Sequence, residues 1–131
     1  MLENRHLSRA GAFVSFLAVG IPYWQIPYQR IQLPDALLTP GLAVTGFVAL
    51  LLCLFRVTSM SRAVALNCLA VAAAVMVRVV FDVLRDHSLH NLWPFELGIA
   101  ALVACAVALG GALVGTLVAR LMRGPRHGDA G

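Results

Sequence analysis

Residues 78–96 read RVVFDVLRDHSLHNLWPFE. This stretch joins the two longest hydrophobic runs of the chain, and it is the one place where several charges meet apolar sequence. Upstream, residues 63–84 are apolar almost throughout until Arg78; downstream, 97–119 carry no charge at all. A bilayer's hydrocarbon core takes roughly 20 apolar residues per helical span. Both runs meet that length, so residues 85–94 read as the hairpin between two membrane-spanning helices.

Working outward, the whole composition agrees. The chain is 131 residues long, 60% hydrophobic and 12% charged, against about 25% charged in soluble domains. One soluble core of this size cannot hide so much apolar surface. The length leaves room for about four spans. The net charge is +4 and every basic residue is arginine. In a soluble protein that balance points to nucleic acid. Here the arginines stand at the ends of apolar runs, which suits anchoring and orientation, so the expected partner is the lipid bilayer and not nucleic acid.

The expected fold is all-α: a membrane-embedded four-helix bundle over residues 1–122, with spans at about 8–24, 39–55, 63–84 and 95–121. The polar tail 123–131, RGPRHGDAG, is expected to be disordered and cytoplasmic. The first run, AGAFVSFLAVGIPYW at 10–24, has two readings. It is either a cleaved signal peptide or a first span, and the span is preferred because the run continues into an aromatic cluster. Residues 21–40 hold four prolines, and proline at that density forbids one continuous helix. The segment therefore reads as an interfacial loop. The amphipathic rings of Tyr23, Trp24, Tyr28 and, in the next hairpin, Trp93 suit headgroup depth.

Thr39 and Pro40 resemble an N-cap and first helical residue for the second span. The brief loop RVTSMSR at 56–62 makes the second and third spans antiparallel neighbours. Pro94 and Glu96 suit the start of the fourth helix, from about Trp93 to Met122. Seven arginines (5, 9, 56, 62, 120, 123, 126) then fall on one side, against Arg30 and Arg85 on the other, with Arg78 inside. The positive-inside rule places both termini in the cytoplasm of a bacterial inner (plasma) membrane.

Few residues suggest chemistry. Arg78 lies roughly 9 Å below the outer end of the third span, at 1.5 Å per residue. Burial of a charge is expensive there. Asp82, one turn on, leans back toward it, so pairing within one helix is the expected relief. Arg85, Asp86 and Glu96 complete a polar cluster at the outer mouth of spans three and four. The cluster reads as a staple for the helix pair, or alternatively as a pocket or proton relay. A staple predicts that Arg78→Leu and Asp82→Leu each harm the fold while the two together spare it. His87 and His90 have an HxxH spacing, which alone does not make a metal site, and no metal or cofactor is expected. Cys53, Cys68 and Cys105 read as small buried hydrophobes; a redox or soft-metal pair needs two thiols facing each other across helices, which sequence does not show. Gly111 and Gly115 form a GxxxG, with Ala104, Ala108 and Ala112 on another small row. Such rows allow close packing in lipid, preferably inside the bundle, alternatively in a homodimer. Asn67 and Thr45 are candidates for interhelical hydrogen bonds.

Phosphate-binding loops, zinc-protease helices and nucleophile elbows are all missing. The first span lacks the glutamate expected of a small multidrug exporter. The stretches IPYQRIQLPDALLTPG (26–41) and SLHNLWPFE (88–96) resemble a family of uncharacterised small bacterial integral membrane proteins with four predicted spans. That resemblance implies the membrane setting and no activity. The expected function is a non-enzymatic accessory or structural membrane component, acting with other membrane subunits or by self-association. The alternative is a small transporter or channel with Arg78, Asp82 and Glu96 in its path.

Overall fold

The runs on either side of Arg78–Glu96 are helices in the computed structural model, which describes residues 2–26, 40–86 and 92–124. Four helices make up these residues: α1 (Leu2–Gln25), α2 (Pro40–Leu54), α3 (Met60–Arg85) and α4 (Trp93–Leu121). By length and composition α3 and α4 are able to cross a membrane; α2 is apolar but shorter. Thr39, Tyr28 and the rest of the proline-rich segment 27–39, the histidines at 87 and 90, and the tail 125–131 lie outside the described residues.

α1 begins at Leu2 rather than near Ser8, and it closes at Gln25, beside the expected end at Trp24. It runs through Pro22, so residues 21–25 are helix and not part of the interfacial loop expected over 21–40. Proline denies a hydrogen bond to the carbonyl four residues back, here Ala18, and crowds it. α2 meets that same carbonyl. Gly41 lies so close that a Cβ added to it would run into the Ala18 oxygen. Glycine at 41 thus lets α2 cover the backbone group that Pro22 leaves without its helical donor.

α2 ends in a Schellman turn. The Arg56 N–H bonds to the Cys53 carbonyl (3.2 Å) and the Val57 N–H to Leu52 (3.0 Å), the two closing bonds of that motif. Its pivot, Arg56, has φ +53°, the left-handed conformation that glycine adopts without cost. Arg56→Gly is therefore expected to stabilise the folded chain by about 1 kcal/mol, read as a rise in Tm of the purified protein; an unchanged or lower Tm contradicts the strain argument. At the start of α4, Pro94 sits in the first turn with Glu96, where the missing N–H and the negative charge are both tolerated.

The helices form a ring in the order α1, α2, α4, α3. α1 is antiparallel to α2 and α3 to α4, while α1 runs parallel to α3 and α2 parallel to α4. The short turn at Arg56 therefore joins helices on a diagonal: α2 and α3 touch only sparsely, not as the close neighbours that a brief loop suggests. Its consequence is that Arg5, Arg9, Arg56, Arg62 and Arg120 share one end of the bundle, and Arg78, Asp82, Arg85, Asp86 and Glu96 the other. At the first end, Asn4, Arg5 and Ser8 of α1 meet Val57, Thr58, Ser59 and Arg62 around an open cleft of about 330 Å³.

Side-chain size is sorted in an unusual sense. The buried face of α4 is Ala100, Ala104, Ala108, Ala112, Gly115 and Ala119. Large apolar side chains, among them Phe13, Phe47, Leu69, Phe81, Leu102, Leu113 and Leu117, point outward, each more than half exposed. Gly111 and Gly115 rest against the backbone carbonyls of Gly46 and Leu50, one turn apart on the parallel α2; a Cβ at either position would collide with them. Inside, Ser15 donates to the Asn67 amide oxygen (2.6 Å), linking α1 to α3, and Asn67 donates to the Ala63 carbonyl (2.8 Å). Thr45 does not bridge helices as expected: its hydroxyl donates to Gly41 on its own helix (3.2 Å), the local bond open to a helical threonine.

Candidate functional site

The polar cluster forms where the last turn of α1 meets the last two turns of α3. Arg78 is 7% exposed, and its Nε donates to Asp82 Oδ2 at 3.2 Å. The i, i+4 spacing on one helix makes this pair local. The rest of the guanidinium does something that spacing could not show. Nη1 donates to the Tyr23 carbonyl and Nη2 to the Ile26 carbonyl, both at the C-terminal end of α1. The last carbonyls of a helix lack intrahelical partners and carry the negative end of its dipole. Arg78 satisfies two of them from a neighbouring helix, so it is a C-cap in trans as well as an ion-pair partner. Its five donors in a rigid fork suit this task; a lysine ammonium does not span it.

Tyr23 stands at the centre of the arrangement. In place of an interfacial ring it is a core residue, 1% exposed, packed with Val71, Val75, Val79 and Ala100. The Arg78 guanidinium lies 5.3 Å from its ring centroid, within cation–π range. Its hydroxyl is buried and has no hydrogen-bond partner among the described residues. Arg78 thus meets Tyr23 twice, at its carbonyl and at its ring, a contact that sequence reasoning did not anticipate. Trp24 is likewise drawn inward: its indole N–H donates to the Ala74 carbonyl of α3 at 2.9 Å. A helix carbonyl this far from the helix end is an unusual acceptor, and the bond pins α1 to α3 one turn from Arg78.

The remaining members are peripheral. Arg85 is exposed and lays its guanidinium over the Phe81 ring, 4.5 Å from the centroid. Asp86 caps α3, its backbone N–H bonding to the Asp82 carbonyl (2.9 Å), and Glu96 is half-buried in the first turn of α4. Trp93 is 39% exposed at the head of α4. Among the described residues no group of three or more His, Cys, Asp or Glu gathers as metal ligands would.

One pairing was not foreseen. Cys68 on α3 and Cys105 on α4 face each other, with their sulfurs 2.8 Å apart, and the Cys68 thiol also approaches the Ala101 carbonyl (3.4 Å). Cys53 belongs to a different cluster, with Leu52, Ala63 and Ala112. Residues 68 and 105 are distant in sequence, and only the antiparallel register of α3 and α4 brings them together.

The architecture and cluster define an all-helical bundle whose buried arginine ties two helices together. Comparison with known proteins adds no relative: no family model, no curated protein and no solved structure matches the chain. The family resemblance of residues 26–41 and 88–96 therefore rests on those residues alone.

Proposed function

We propose that the chain is a four-span protein of a bacterial inner membrane, with both termini cytoplasmic, and that its role is non-enzymatic: a structural or accessory component that acts by helix packing with other membrane subunits or with its own copies. One observation carries the membrane setting. The bundle buries mainly alanine, glycine and valine and turns most of its phenylalanines and leucines outward. In water this sorting discards the hydrophobic driving force. In lipid, where tails are as apolar as leucine, close backbone packing between small residues is what holds helices together.

The position of Arg78 supports a structural role over transport. A transport site needs a charged group facing a water-accessible cavity. The Arg78 guanidinium is instead enclosed by two carbonyls, a carboxylate and a tyrosine ring. The arginines collected at one end of the bundle favour that end as cytoplasmic. α2 is about 22 Å long at 1.5 Å per residue, shorter than the roughly 30 Å hydrocarbon core; a short span is accommodated by local thinning and by flanking residues such as Arg56.

Single cysteines placed at either terminus in a chain without native cysteines, probed with an impermeant maleimide in spheroplasts, test the topology. Neither should label until the membrane is broken. Labelling of one terminus in intact spheroplasts would refute the arrangement. For the role, liposomes containing the protein should leak ions, protons and small solutes no faster than empty ones; a flux lost on Asp82→Asn, in protein that still folds, would favour the transporter reading.

A further inference from the structure

We infer that Cys68 and Cys105 form a dithiol site, oxidised by a membrane-dissolved quinone to a disulfide that ties α3 to α4. The sulfurs lie 2.8 Å apart on two different helices, pointing at one another. A small side-chain adjustment brings them to bonding distance, about 2 Å. They are also reachable. Both residues are partly exposed, at a seam on the outside of the bundle. Leu69 and Leu102 beside them are 65% and 73% exposed. The surroundings decide the reagent: an apolar face admits an apolar oxidant and discourages a charged, hydrated one. The choice of a lipid-soluble oxidant rests on the membrane reading above; the disulfide itself does not. A three- or four-coordinate metal site lacks ligands, since no third His, Cys, Asp or Glu joins the pair among the described residues.

The step balances as a two-electron exchange. Both S–H bonds break and one S–S bond forms. The two electrons and two protons pass to the quinone, which leaves as the hydroquinone. Cys53 lies apart from the pair and keeps its thiol. α3 and α4 are joined in sequence through residues 86–92, and the new bond closes a second connection between them at the outer seam, far from that link. Oxidation therefore fixes their register and prevents them from separating.

The test uses the full chain, reduced and reconstituted in liposomes, then exposed to a fully substituted short-chain quinone. After denaturation, free thiols are counted with a maleimide mass tag. The expected result is a fall from three tagged thiols to one, with the chain remaining monomeric on a non-reducing gel and losing two hydrogens by mass spectrometry. In Cys53→Ala the count should fall from two to zero, a variant that leaves the pair untouched. In Cys68→Ala and Cys105→Ala it should not fall within one chain. Three thiols remaining after treatment, a crosslink between chains, or a mass gain equal to a quinone adduct would each overturn the proposal. A charged disulfide oxidant added outside the liposomes should act much more slowly than the quinone, and equally fast in detergent. If both act alike in liposomes, the disulfide stands and the membrane placement of the site falls.

Discussion

Gly111→Ala lowers the stability of the bundle by about 2–3 kcal/mol, within the range for overpacked sites, while Gly110→Ala, one residue away, leaves it equal or raises it by up to about 1 kcal/mol. The sign difference is the prediction. In the interior of a helix alanine is favoured over glycine, so the substitution should help wherever there is space. Nothing lies within reach of a Cβ at Gly110. At Gly111 the Cβ meets the carbonyl oxygen of Gly46, which is backbone on a packed helix and has no rotamer to change. α2 must move as a body, and with it the Gly115–Leu50 contact one turn along. Gly111→Val, with two more methyl groups at the same point, should leave no cooperatively folded protein. Thermal unfolding in detergent, followed by circular dichroism, checks the series. Equal effects at 110 and 111 would mean that the α2–α4 seam does not lie where the structure places it.

Arg78→Leu should cost about 3–5 kcal/mol, the usual price of removing one member of a buried ion pair. Asp82→Leu should cost less, about 1–3 kcal/mol, because Arg78 keeps its two carbonyl acceptors on α1. The difference follows from geometry: the arginine has three partners and the aspartate, in this arrangement, is one of them. From sequence alone the double substitution was expected to spare the fold. The cap alters that expectation. Removing both charges relieves Asp82 but still takes the Arg78 donors from two carbonyls, Ile26 and Tyr23, and leaves Tyr23 with only the Ile26 N–H at 3.3 Å, so the double variant should recover only part of the loss. Arg78→Lys should recover part as well, through one carbonyl at a time. Tm values for the four variants decide it; a double variant as stable as the parent would reduce Arg78 to half of a simple ion pair.

The helical class and the two long apolar helices were legible because they rest on composition and run length, properties that survive without knowledge of any contact. Pairing of Arg78 with Asp82 was legible for a similar reason, since i and i+4 share a face on any helix. What escaped was which helix meets which. The loop assigned to residues 21–40 followed from its four prolines, yet at Pro22 the helix continues, because a proline is tolerated where a neighbouring backbone covers the carbonyl it orphans, and Gly41 does so. Tyr23 and Trp24 were assigned to an interface because free-standing aromatic rings prefer one; as part of α1 they acquire partners on α3 that no local pattern announces. The brevity of the Arg56 turn correctly implies that α2 and α3 reverse direction, but it does not say which helices lie side by side. Cys68 and Cys105 show the same limit, two residues whose relation exists only in the register of an antiparallel pair.

The diagonal placement of α2 and α3 has a consequence for biogenesis. α2 leaves the ribosome early, but the surface it matches belongs to α4. About 65 residues separate Gly46 from Gly111, which at 5–20 residues per second is roughly 3–13 s of synthesis. For that interval the groove on α2 has no mate within its own chain, and it stays bare until the last helix is delivered. Whatever holds nascent segments apart during those seconds guards this protein against pairing with the wrong helix.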